Sequence, residues 1–310
     1  MISKIKSSKL SLCLSVLFYL CFISTNLSSE EIEILVYNTH GLPAAFAGDD
    51  PEERFPLIAE KTKSYQLSLL QEDFAHHELL LKNLNEESVA VRGNGNNKSL
   101  CPFCSGSGLT IISNLTKEWQ LEINSEAFNS CSGWLGGLND CFASKGFQLA
   151  RIKTPSGKYV FVLNTHLDAG RSTSDRKVRA KQLNQILAKV KPVTSEEALI
   201  VAGDLNLRWN DPEDRELLED FIADLRLTDS FMVQDSYKRA KAVNITSHFE
   251  LDHKGETQSE RAWPILDYIF YRNGRTTSLE VLDVGEDQDF QYENGPLSDH
   301  PALFLRLRIN

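Results

Sequence analysis

Two stretches of this chain are close copies of one another. "VYNTHGL" (Val36–Leu42) and "VLNTHLD" (Val162–Asp168) each end an apolar, strand-like run in Asn-Thr-His. Each is followed by a helical pattern and then by a second strand. After the first come the helical "ERFPLIAEKTKSY" (Glu53–Tyr65) and the strand-like "QLSLLQE" (Gln66–Glu72). After the second comes "SDRKVRAKQLNQILAKV" (Ser174–Val190), with Val178, Leu183, Ile186, Leu187 and Val190 on one side, and then the buried-strand run "EALIVAGDLN" (Glu197–Asn206). A strand–helix–strand unit that occurs twice, with no break in composition, predicts one domain of sheets covered by helices.

The rest of the chain fits that plan. "HHELLLKNL" (His76–Leu84) reads as a helix, and "GFQLARIKTPSGKYVFVLNTH" (Gly146–His166) as a hairpin turning at Pro155–Gly157. "DPEDRELLEDFIADL" (Asp211–Leu225) opens with acids and proline, as helices do. "PILDYIFYR" (Pro264–Arg272) and "HPALFLRLRI" (His300–Ile309) are late strands, while 93–145, richer in Gly, Ser and Asn, is expected to hold long loops.

The first residues are a separate object. Lys4, Lys6 and Lys9 precede the apolar run Leu10–Ile23, then small and polar residues to Ser29. That order describes a signal peptide over 1–29 and a secreted or periplasmic protein, with 30–310 as one catalytic domain. A retained anchor is the alternative; the run is short for a span, which needs about 20 apolar residues. Loss of 1–29 removes three lysines and no acid, taking the formal charge from -10 to -13. Such a chain gains little from general attraction to phosphate backbones. Four cysteines then remain: Cys101, Cys104, Cys131 and Cys141. Export favours disulfides, and Cys101–Cys104 with Cys131–Cys141 is the simplest pairing. A four-cysteine zinc site is disfavoured because only one CxxC is present.

Polar residues stand where the apolar strands stop: Asn38, Glu72, His166, Asp204, Asn206, Asp267, Asp299 and His300. Strand ends can converge on one rim and make a site there. Glu72 follows an apolar run, where a carboxylate needs a partner or a metal, and magnesium takes oxygen ligands. In "GDLN", Gly203 permits a tight turn, Asp204 can orient a water or hold metal, and Asn206 can donate to a phosphoryl oxygen. His300 is a general-base candidate, with Asp267 as the carboxylate that fixes its tautomer. Its replacement by alanine is expected to abolish turnover with little loss of stability. Taken singly, each of these residues could instead be an ordinary loop or turn residue.

Together, "YNTHGLP", "LLQEDF", "SGLTIIS", "LNTHLDAG", "AGDLNLR", "LDYIFYR" and "LSDHPALF" resemble the endonuclease/exonuclease/phosphatase superfamily over nearly the whole mature chain. The resemblance implies an α/β fold, a four-layer α/β/β/α sandwich of two packed mixed sheets with helices outside and pseudo-symmetric halves. It also implies roles: Asn38 and Glu72 on the metal side, with magnesium (or manganese) as the ion, and Asp299 beside metal or phosphate. His166 would contact the phosphate and assist the leaving group, Asp204 and Asn206 would orient water and phosphate, and His300, held by Asp267, would be the base. The chemistry implied is in-line attack of water on phosphorus.

"CFASKGFQLARI" (Cys141–Ile152) and "GLP" (Gly41–Pro43) are similar to the bacterial neutral sphingomyelinase branch. A phospholipid substrate such as sphingomyelin is therefore expected, with no stable protein partner. A secreted nuclease similar to deoxyribonuclease I, acting on nucleic acid, is the alternative; a phosphoinositide phosphatase or a non-catalytic binder stand behind it. That branch's C-terminal apolar hairpin has no obvious counterpart here. "CSGWLGGLNDC" (Cys131–Cys141) is a possible substitute, with Trp134 and Leu135 as candidate membrane-contacting residues.

Overall fold

The computed structural model describes residues 30–42, 50–93, 106–133, 141, 143–233, 266–292 and 295–310. The first half runs β1 (Glu30–Asn38), α1 (Pro51–Thr62), β2 (Leu67–Gln71), α2 (His77–Leu81), β3 (Val89–Arg92), β4 (Thr110–Ser113) and β5 (Gln120–Ala127). Next come β6 (Gly146–Lys153), β7 (Tyr159–His166), α3 (Thr173–Thr194), β8 (Ala198–Asp204), α4 (Pro212–Leu225), β9 (Thr228–Asp229) and α5 (Ser230–Val233). The chain ends with β10 (Asp267–Arg272), β11 (Leu279–Glu286), the short β12 (Gln291–Tyr292) and β13 (Gly295–Pro296), and β14 (Leu303–Ile309).

The strands form two six-stranded sheets, ordered β11-β14-β1-β2-β4-β3 and β5-β6-β7-β8-β10-β9. Their pairing repeats. β1 lies antiparallel to β14 and parallel to β2, with Asn38 opposite Gln71. β7 lies antiparallel to β6 and parallel to β8, with His166 opposite Asp204. The two Asn-Thr-His strands therefore hold equivalent places, one in each sheet.

Alternation along each strand makes the layers, because successive side chains point to opposite faces. On β1, Ile32, Ile34 and Val36 pack inward with Val160, Val162 and Ile200 of the other sheet. Leu35 and Tyr37 point outward and meet Phe55 and Ile58 of α1. On the far side, Leu163, Leu199 and Val201 meet Leu183, Ile186 and Val190 of α3 and Phe221 of α4. Helix, sheet, sheet, helix is the resulting order. The helices start where the chemistry of the sequence dictates. Asp50 accepts from the amides of Glu52 and Glu53 ahead of α1, Ser172 and Asp175 form a capping box on α3, and Asp211 caps α4 just before Pro212.

The apolar interior between the sheets is crossed by a short polar ladder. Gln71 Nε2 donates to Asn164 Oδ1 at 2.7 Å, and Asn164 Nδ2 donates to Gln148 Oε1 at 3.2 Å and to the Leu70 carbonyl at 3.1 Å. All three residues are fully buried.

The structure adds strands to the sequence reading and corrects one residue. Besides loops, the 93–145 stretch contains β4 and the eight-residue β5. β11 escaped the sequence because a bulge between Val281 and Asp283 breaks its alternation. Gly203 does not make a turn. It lies inside β8 with φ +132°, and a Cβ there would stand 2.0 Å from the Thr165 carbonyl oxygen. Gly203→Ala is therefore expected to lose roughly 2–6 kcal/mol, strain and overpacking combined. A thermal melt unchanged from the parent would contradict that.

Candidate active site

The site forms where β1, β2, β7 and β8 end and the antiparallel β10 begins. Asn38 Nδ2 donates to Glu72 Oε1 at 3.2 Å and to Asp204 Oδ2 at 3.0 Å, so one amide joins carboxylates from both sheets. His166 Nε2 lies 3.6 Å from Glu72 Oε1 and 3.5 Å from Asp204 Oδ2. His300 Nε2 approaches the same Asp204 oxygen at 3.9 Å from another side. Its Nδ1 is 2.6 Å from Asp267 Oδ2. Asp267 itself faces Asp204 across the β8–β10 pair. Asn206 donates twice: its N–H to Asp204 Oδ1 at 2.9 Å, and its Nδ2 to the Leu167 carbonyl at 3.0 Å.

Seven of the eight strand-end residues thus meet in one cluster. Asp299 sits at the rim, half-exposed, where its carboxylate pairs with His40 Nδ1 at 2.8 Å. Ser298 ties this segment to β1, its hydroxyl donating to the Asn38 carbonyl at 2.6 Å. His40, the histidine of the first Asn-Thr-His, accordingly backs Asp299, whereas the second histidine, His166, enters the cluster itself. Trp134 and Leu135 lie outside the described residues, as do Cys101 and Cys104. The Cys131–Cys141 disulfide is formed.

Backbone strain gathers here. His40 (φ 48°), Glu72 (φ 59°) and Asn206 (φ 50°) are left-handed without being glycine. Such residues persist where surrounding structure over-determines them, which is common at functional sites. Glu72 is held in that bend by its own carbonyl, which accepts the Gly41 N–H at 2.7 Å.

Electrostatics separate the two histidines. Burial, with Lys145 and His300 nearby, holds His166 well below the ordinary imidazole range, so it is neutral. Burial would lower His300 as well, but the Asp267 carboxylate, then Asp204 and Asp299, outweigh it and hold His300 well above that range. Burial, then the charge of Asp267, pushes Asp204 up to about 7. Carboxylate oxygens crowded in a dry pocket are what a divalent cation relieves. Ligand atoms of Glu72, His166 and Asp204 lie within 4.8 Å of one another, and so do those of Asp204, Asp267 and His300. The donor set fits a hard cation on the Glu72 side. Asn38 would join it by turning its amide oxygen inward, since here the nitrogen faces the carboxylates.

Three residues of the site were not singled out from the sequence. Lys145, buried, puts Nζ 3.0 Å from His166 Nε2 and donates to the Leu167 carbonyl at 3.0 Å; its only signal was the Ala-x-Lys-Gly approach to β6. Arg54 and Arg179 are buried staples at equivalent places in the two halves. Arg54, on α1, donates to the carbonyls of Thr39 (3.0 Å), His40 (2.9 Å) and Leu297 (2.6 Å). Arg179, on α3, donates to the carbonyls of Asp168 (3.1 Å) and Gly170 (2.9 Å). Each fixes the loop that follows an Asn-Thr-His. An arginine on a helix reads as surface; the available signal was that Arg179 falls in phase with Gln182, Leu183, Ile186 and Val190, the buried face of α3. Val178 and Leu187, assigned to that face from the sequence, lie at its margins.

The chain is similar over 290 residues to a sphingomyelinase of Mycobacterium tuberculosis, at 25% identity over 90% of this chain and 53% of the relative. It spans about half the length of the curated sphingomyelinases it matches over most of its own length. A beta toxin of Staphylococcus aureus with bound magnesium ions shares the fold, at TM-score 0.58 and 20% identity over 89% of this chain and 99% of that one. So does TDP2 of D. rerio in complex with a single-strand DNA product, at TM-score 0.63 and 17% identity over 90% and 99%. The family model for Endonuclease/Exonuclease/phosphatase family 2 matches residues 115–303, more than half of the chain, and the chain belongs to that family.

Proposed function

We propose that the protein is a metal-dependent phosphodiesterase that cleaves sphingomyelin or a related phospholipid by in-line attack of water. The observation that carries this is the pair of imidazoles on either side of Asp204 Oδ2, at 3.5 Å and 3.9 Å, one neutral and one held by a carboxylate. Water attack on phosphorus needs a base on one side and charge stabilisation on the other. His300 is the base: its Nδ1–H donates to Asp267 Oδ2, which leaves Nε2 to receive the proton of water. His166 and the Lys145 ammonium face the phosphoryl oxygens and the leaving oxygen. Asn206 keeps one amide hydrogen for the phosphate after bonding Leu167. A cation held by Glu72, Asp204 and Asn38 would supply Lewis-acid stabilisation of the phosphoryl charge; magnesium is the proposed ion, on the oxygen-rich character of those residues and on the beta toxin that binds it. Asp299, paired with His40, closes the rim.

Lipid is preferred over nucleic acid because a chain of net charge -10 offers no general attraction to a phosphate backbone, and because the curated relatives over most of the chain are sphingomyelinases. The basic start and apolar run of residues 1–29, together with the Cys131–Cys141 disulfide, support export. The likeness to TDP2 with a DNA product supports a nuclease as the second reading. Purified protein given sphingomyelin vesicles or single-stranded DNA, each with magnesium or with chelator, separates the two. Metal-dependent release of phosphocholine is expected; cleavage of DNA alone would overturn the lipid reading.

A further inference from the structure

Asp168 is fully buried, 0% exposed, two residues past His166. A carboxylate so placed must be matched by donors. Gln182 Nε2 donates to Oδ1 at 2.7 Å, and the backbone N–H of Ser132 donates to Oδ2 at 2.6 Å. Gln182 also accepts the Asp168 N–H at 2.9 Å and donates to the Ser130 carbonyl at 2.9 Å. Ser132 belongs to the segment that the Cys131–Cys141 disulfide closes. Cys141 stands four residues before Lys145 in the chain, and the Lys145 ammonium meets His166 Nε2 and the Leu167 carbonyl.

These contacts close a ring. It passes from His166 to Asp168 along the backbone, across a hydrogen bond to Ser132, through the disulfide to Cys141, along the chain to Lys145 and back to His166. A cavity of about 320 Å³ lies against these contacts, lined by Cys131, Cys141, Ser144, Lys145, Asp168 and Gln182 among others.

We propose that Asp168 is a positioning residue which, through Ser132 and the Cys131–Cys141 disulfide, holds the Lys145 ammonium against His166. The disulfide then serves the reaction as well as the fold. The consequence for turnover rests on the phosphodiesterase reading above; the placement of Lys145 does not.

The test reads both. Lys145 is 6% exposed, whereas the Lys189 side chain is 57% exposed and serves as an internal reference. Reductive methylation of the folded protein, followed by mass spectrometry, measures each lysine. In Asp168→Asn only one acceptor oxygen is left for Gln182 and Ser132 to share, and Lys145 is expected to react about tenfold faster or more, with Lys189 unchanged. On sphingomyelin vesicles kcat should fall about 10- to 100-fold with KM little changed, as for displacement of a catalytic group by about 1 Å. The Cys131→Ser/Cys141→Ser protein keeps the carboxylate and its Gln182 bond, so it carries the same test if Asp168→Asn does not fold. Lys145 equally protected in a folded variant would overturn the proposal, and so would a released Lys145 with kcat unchanged. A released Lys145 in a protein whose parent cleaves no sphingomyelin supports the ring and removes only the substrate assignment.

Discussion

Replacing His300 by glutamine is expected to lower kcat by about 10²–10⁴-fold, the usual contribution of general acid–base catalysis. Glutamine can still donate to Asp267 but cannot take a proton from water. Alanine is the poorer choice, against the expectation drawn from the sequence. Asp267 is buried, and among the described residues its Oδ1 has no hydrogen-bond partner, which leaves the short bond to His300. Removing that partner leaves a buried carboxylate uncompensated, at a cost of about 3–5 kcal/mol. His300→Ala would therefore confuse loss of the base with loss of the fold, whereas His300→Gln should melt near the parent. Full activity in a folded His300→Gln protein would remove the histidine from the role. The pH profile gives a second check. A base must be neutral, and neighbouring carboxylates hold His300 well above the ordinary imidazole range. The rate should thus rise with pH through that elevated value. Asp267→Asn removes the strongest of those attractions, so the acid limb should move to lower pH even as the maximum rate falls.

The second large effect is that of the metal. Chelator should reduce turnover to background, and magnesium should restore it. Glu72→Gln should cost a hundredfold or more, because metal stabilisation of phosphoryl charge is worth several kcal/mol and each 1.36 kcal/mol is tenfold in rate. Binding can be read without turnover. Saturating magnesium should raise the melting temperature of the parent by mass action and leave that of Glu72→Gln nearly still. The physical reason lies in Asp204, which burial and Asp267 push up to about 7, with Glu72 adding to the repulsion. Cleavage undiminished in chelator, with no thermal response to magnesium, would exclude metal dependence.

Much of this architecture was legible in the sequence, for a definable reason. Strands that are buried on both faces read as continuous apolar runs, and their polar ends stand out against them. That is how Asn38, Glu72, His166, Asp204, Asp267 and His300 could be found, and why the two Asn-Thr-His strands matched: they are equivalent strands in equivalent pairings. What the residue string hid was whatever depended on approach from elsewhere. Lys145 meets His166 only because β6 pairs with β7. Arg54 and Arg179 became interior residues only because loop carbonyls waited for them. Gly203 looked like a turn, but what it permits is the contact of two backbones. The difference between His40 and His166 could not be read from identical triplets. It arises because the first pairs with Asp299 at the rim and the second points into the junction of the sheets.

The amide ladder of Gln71, Asn164 and Gln148 has a mechanical consequence. Apolar layers tolerate sliding, since one methyl group serves nearly as well as the next; paired amides in a dry interior do not, since each small slip strands a donor. The ladder therefore acts as a dowel between the two sheets. Glu72 follows Gln71 directly, and His166 lies on the same strand as Asn164. With Asn38 bonded to Asp204 from the opposite sheet, the site is clamped at its mouth and pinned beneath. A centre mounted in this way has no private looseness: it keeps its alignment for as long as the two layers stay together, and loses it when they part.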